Sequence, residues 1–184
     1  EIINQKIDGI SKTFNQLNEQ HFDEVVQLLH GTKKVHFLGF RQSAPAAFWL
    51  YNNMVMLRNH VYFIEHEADQ IVQQLTLMDE DSLLIMISLD DEYEDIISTV
   101  EIAKRKKVQI VAIRDKKLKP GKEPADKVLI VPSVQEGGAT CTIAIYVLLH
   151  ALVESMVSQN PKQYEKFRKN KSKKNKSSNL SAIV

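Results

Sequence analysis

The chain has 184 residues, 43% of them hydrophobic, enough for one domain with a full core plus appendages. No uninterrupted apolar run approaches the ~18 residues that span a bilayer, and nothing resembles a secretory signal. Cys141 is the only cysteine, which excludes an intrachain disulfide and suits a reducing, cytoplasmic setting. The formal charge of +1 is unevenly spread: from residue 161 onward there are eight bases and one acid, leaving sixteen bases against twenty-two acids, net −6, in the body. A body of that sign repels nucleic-acid phosphates. Contact with DNA is therefore expected only from the tail or from a segment outside this sequence.

Ile3, Ile7, Ile10, Phe14 and Leu17, spaced four, three, four, three, predict an amphipathic helix seeking either its own body or a second copy. Phe22 to Leu29 predicts a second, short helix with Gly31 just past its end. Lys34 to Leu38 reads as a strand that stops at Gly39. Ser43-Ala44-Pro45 then opens a helix to about Arg58, with Trp49, Leu50, Met54 and Leu57 on its apolar face. Asn59-His60 turns into a second strand, Val61 to Ile64, followed by a helix over Ala68 to Met78. Leu83 to Ile87 is apolar throughout and suits a strand buried on both faces. Tyr93 to Lys107 is helical, with Ile96, Ile97, Val100 and Ala103 inward. Val108 to Ile113 and Lys127 to Val131 are the remaining strands, joined by the solvated loop Lys116 to Glu123. Gly137-Gly138 precedes a helix from about Thr140 to Ser158. The stretch KNKSKKNKSSN has no apolar residue to offset its ordering entropy and is expected to be disordered.

Strands alternating with helices predict a five-stranded parallel sheet in a three-layer α/β/α sandwich. The expected division is 1–31, N-terminal helices forming a linker or dimer contact; 32–160, the sandwich; and 161–184, a basic tail. Ligands in such sheets gather at the carboxyl ends of the strands: here Gly39 to Ser43, Glu65-His66, Ser88 to Tyr93, Arg114-Asp115 and Ser133 to Thr140. A strand that stops at glycine and turns into a helix presents backbone N–H groups to an anion. Of the histidines, His36 reads as a satisfied core residue, His60 as a turn residue, and His150 with Glu154 as a helix pair. His66 faces the ligand edge. No metal-ligand spacing and no G-x-G-x-x-G dinucleotide turn is present.

The stretches LGFRQSAPAAFWL, LLIMISLDDEYEDIISTVEIAKRKKVQIVAIRD and ADKVLIVP together resemble the SIS (sugar isomerase) domain, most closely the effector domain of RpiR-type bacterial transcription regulators. The resemblance runs from about Ile3 to Val157. In that family the first loop commonly reads G-x-G-x-S; here Arg41 stands where the second glycine would be, a variant carried by a subgroup of RpiR-like regulators. The second family loop, S-x-S-G-x-T, becomes Ser88-Leu89-Asp90-Asp91-Glu92-Tyr93, and Arg114 stands where a threonine is usual. The resemblance implies ligand binding by Gly39, Arg41, Gln42, Ser43, Ser88, Asp90, Tyr93 and Arg114. A phosphate beside a carboxylate loses on the order of 4 kcal/mol per charge pair at ~4 Å. Arg41 and Arg114 are the candidates to offset Asp90 and Asp91, or to grip an anion themselves.

By the same resemblance the chain is an effector-sensing domain that binds a sugar phosphate or other carbohydrate derivative and works as a homodimer or dimer of dimers. It is not an enzyme, needs no cofactor, and meets DNA through a helix-turn-helix domain upstream. Glu1 in place of Met fits a piece of such a longer protein. The alternatives are a free-standing sugar phosphate isomerase and a ligandless dimerisation domain.

Overall fold

Side chains alternate across a strand, so a strand apolar at every position must be covered on both faces. β3 (Ser82–Ser88) is such a strand: Leu83, Ile85 and Ile87 enter one apolar cluster, Leu84 and Met86 the other. The computed structural model describes residues 1–65, 67–89, 93–115, 123–131 and 142–177. Around β3 lie β1 (Lys34–Gly39), β2 (Val61–Ile64), β4 (Gln109–Arg114) and β5 (Lys127–Ile130). All pairings are parallel, in the order β2-β1-β3-β4-β5. The expected five-stranded parallel sheet is thus observed, each strand within a residue or two of its predicted limits.

One face is covered by α2 (Glu19–Gly31), α3 (Ala44–Val55) and α6 (Thr142–Gln159), with α1 (Ile2–Asn15) laid against α6. The other carries α4 (Ala68–Leu77) and α5 (Tyr93–Arg105). This is the three-layer sandwich. By length and composition α6 could cross a membrane. Here Ala144, Ile145, Leu148, Leu149, Leu152 and Met156 are buried in the core. The stripe of α1 divides. Ile10 packs against the core, as does Leu17 just beyond the helix, while Ile3 and Ile7 remain 75% and 54% exposed.

Both ends of α2 are closed by side chains. Asn18 Oδ1 accepts the His21 N–H at 3.0 Å, capping α2. At the other end of α2 the Arg58 guanidinium donates to the carbonyls of Leu29, Thr32 and Lys33.

The tail departs from expectation. Residues 161–177 are helical as α7 (Pro161–Ser177) rather than disordered, and the rest of the expected disordered tail lies outside the described residues. Pro161 sits in the first turn, where its missing N–H loses nothing. Tyr164, only 3% exposed, joins the core, and its hydroxyl lies 2.7 Å from His30 Nδ1. Lys169 Nζ pairs with Glu165 at 2.6 Å. The low-complexity stretch inherits a helix seated upstream of it.

Candidate functional site

After β1 the chain runs to β2 on one side of the sheet, and after β3 to β4 on the other. The crevice where the order reverses, at the carboxyl ends of β1 and β3, is where such sheets receive ligands. Gly39 and Ile87 are register partners there, and the Phe40 N–H donates to the Ile87 carbonyl at 3.1 Å. A 3-10 turn, Arg41–Ser43, then folds the chain back into α3, closed by the Ser43 N–H on the Phe40 carbonyl at 2.8 Å.

The turn explains the glycine. A Cβ on Gly39 would sit 2.5 Å from the Ser43 carbonyl oxygen and 2.6 Å from the Ala44 Cα, both backbone, so no side chain fits. Ser43 is fully buried, and its Oγ accepts the Leu89 N–H at 3.0 Å. An accepted bond leaves the hydroxyl its own hydrogen to donate. Arg41 and Gln42 form the exposed crest of the turn. Arg41 has φ 46°, the left-handed region that favours glycine. This is the position where the resembled family's second glycine would stand.

Gly39, Ser43 and Ser88 are therefore brought together at adjacent strand ends, with Arg41 and Gln42 above them. Ser88 is buried and in register with Arg114. Strand alternation places both on the face of α4 and α5. The Arg114 guanidinium, itself buried, donates to Glu123 Oε1 at 2.9 Å, and the same carboxylate oxygen accepts the Ala125 N–H at 2.9 Å. Arg114 is thus held toward the start of β5, with Glu123 already neutralising it. In the sequence Glu123 ends a solvated loop; only its position beside Arg114 reveals the pairing. Arg114 Nε is buried with no hydrogen-bond partner among the described residues. Asp90, Asp91, Glu92, His66, Ser133 to Thr140 and Cys141 lie outside the described residues, as does the side chain of Tyr93, which opens α5.

His36 is buried as expected but not satisfied. Neither ring nitrogen has a hydrogen-bond partner among the described residues, and the ring stacks on Tyr62 at 4.8 Å. Burial, reinforced by the Lys34 charge, pushes its pKa down to about 4. His150 lies against the Trp49 ring, centroids 4.4 Å apart, and His60 precedes β2 at the opposite end of the sheet. Among the described residues no group of three His, Cys, Asp or Glu side chains could hold a metal ion.

A parallel sheet of this order, with a glycine-led turn at its switch point, defines an open, doubly wound α/β domain. A model of the SIS domain matches residues 28–155, and the chain belongs to that family. No curated protein matches the sequence. Solved structures share the fold at low identity. The sugar isomerase domain of an RpiR transcription factor from Sphaerobacter thermophilus superposes with TM-score 0.84 and 17% identity, covering 93% of this chain and 96% of that one. NanR of Vibrio vulnificus, complexed with ManNAc-6P, gives TM-score 0.79 and 12% identity over 93% of this chain and 66% of its own. A Methanococcus jannaschii protein, read from its structure as a 3-hexulose-6-phosphate isomerase, gives 0.69 and 18% over 89% and 95%. The fold therefore occurs in both regulators and phosphosugar isomerases.

Proposed function

We propose that this chain is the effector-sensing domain of a DNA-binding regulator of carbohydrate metabolism. A sugar phosphate or related carbohydrate derivative binds at the β1–β3 crevice. The observation that carries this is Arg41. A non-glycine residue held at φ 46° stores on the order of 1 kcal/mol of backbone strain. That strain is tolerated at an exposed residue on the crest of the turn, two positions before the buried Ser43. A forked, permanent cation suits a phosphate. NanR, of the same fold, is complexed with ManNAc-6P, which supports a ligand of this class.

Gln42 would orient the ligand's hydroxyls, and Asp90 and Tyr93 are the second loop's candidates for the same role. Base-specific DNA contact would come from a helix-turn-helix domain upstream, and the setting is the cytoplasm. The chain pairs as a homodimer or dimer of dimers through the exposed Ile3–Ile7 half of α1, which also links sensing to the upstream domain. A ligand can shift that pairing only through unequal affinity for two arrangements.

Titration calorimetry with ManNAc-6P and a panel of hexose and pentose phosphates tests the reading. Binding of at least one, weakened tenfold or more in Arg41→Ala, is the expected result. No heat with any phosphate would overturn sensing and favour the dimerisation role. Turnover of a bound phosphate, followed by NMR, would favour the isomerase.

A further inference from the structure

We infer that α7 is a built nucleic-acid contact: a basic helix, anchored on the domain through Tyr164, that binds the phosphate backbone of duplex DNA without reading its sequence. The juxtaposition that assigns this is a buried anchor on one side of the helix and a row of lysines on the other. Tyr164 is buried and hydrogen-bonded to His30, and Phe167, one turn on, is half-buried. Lys162, Lys166 and Lys169 are exposed. At 100° per residue they point away from the Tyr164–Phe167 side. The sequence continues the spacing of four and three with Lys173 and Lys176, and the helix extends to Ser177.

Length and charge fit the partner. Lys162 to Lys176 spans about 21 Å of helix axis at ~1.5 Å per residue. That is more than the ~12 Å width of a major groove, so the row can meet phosphates on both of its walls. The helix holds eight bases and one acid, and that acid, Glu165, is already paired with Lys169. The net −6 of the remaining chain repels phosphates elsewhere, which confines the approach to this helix. A membrane fits less well. A surface-bound amphipathic helix needs its apolar side toward the lipid, and here that side is turned to the protein. The contact holds whichever ligand the crevice takes.

The test uses the whole chain and a fluorescein-labelled 20-bp duplex of arbitrary sequence, read by anisotropy from 25 to 150 mM KCl. The expected result is binding whose log–log salt slope is about −3.6 to −4.5, as for roughly four or five phosphates neutralised. The triple variant Lys162→Gln/Lys166→Gln/Lys173→Gln keeps helix propensity. It should lose at least tenfold in affinity and two or more units of slope. The same charge change on other helices, Lys6→Gln/Lys12→Gln/Lys104→Gln, should lose less than threefold. No binding at 25 mM KCl, equal losses in both triple variants, or tighter binding to vesicles of 30% phosphatidylserine than to the duplex would each overturn the inference.

Discussion

The Ser43 hydroxyl accepts the Leu89 N–H at 3.0 Å, joining the turn after β1 to the segment after β3. These two segments leave the sheet in opposite directions, so chain connectivity does nothing to keep them together. This bond, with Phe40 N–H on the Ile87 carbonyl, closes the floor of the crevice.

Both partners of the Ser43–Leu89 bond are buried. Removing the acceptor leaves an orphaned N–H, which costs about 1–3 kcal/mol. Ser43→Ala is expected to lower the urea unfolding free energy by that amount with an unchanged m-value. A loss below ~0.5 kcal/mol would show that the two loops are held by other contacts.

Arg41 separates stability from binding. Arg41→Gly should relieve the left-handed strain and raise unfolding stability by about 0.5–1 kcal/mol, while weakening sugar phosphate binding at least tenfold. A variant both less stable and unchanged in binding would place the guanidinium in a structural role.

His36 predicts an acid-sensitive fold. Its folded pKa of about 4 lies below the ordinary 6.5, so as the pH falls the unfolded chain takes up the proton first. Stability therefore declines from about pH 6.5 to about pH 4 and loses nothing more from this group below that. The loss reaches about 2 kcal/mol by pH 5 and about 3 kcal/mol in full. His30, also held low by burial, acts in the same direction in any variant that keeps it. Chemical denaturation of wild type and His36→Leu between pH 7 and 5 isolates the His36 part. The variant should lose about 2 kcal/mol less across that range.

The sheet was legible because its strands are short apolar runs between turn residues, and Gly39 was legible as a stop. What escaped has a shared cause: it depends on side chains meeting from distant parts of the chain. Glu123 looked like the end of a lysine-rich loop until β4 brought Arg114 beside it. The order of α7 rests on Tyr164 finding His30, far off in sequence. A buried aromatic just after Pro161 was the available signal, and the basic composition beyond it masked that signal. Arg41 stands out in the sequence as a departure from a glycine, but its left-handed backbone follows from a turn forced back over Gly39.

Arg58 shows how much depends on one such meeting. The last carbonyls of a helix have no partners within it. At the end of α2 the Arg58 guanidinium, just past the end of α3, meets the Leu29 carbonyl and reaches on to those of Thr32 and, at 3.0 Å, Lys33. One fork therefore fixes the exit of α2, the start of β1 and the end of α3 against one another. The same turn carries His30, on which Tyr164 and hence α7 are seated. Arg58→Ala should destabilise the fold by about 2 kcal/mol, since charged hydrogen bonds contribute about 1.5–3 kcal/mol and this group is only partly exposed. A lysine offers a single ammonium and cannot fork, so Arg58→Lys should recover less than half of that loss. Hydrogen exchange gives the local readout. The last-turn amides of α2 and the first-turn amides of α7 should lose protection together in Arg58→Ala. If only α2 responds, the seat of α7 rests on Tyr164 burial alone.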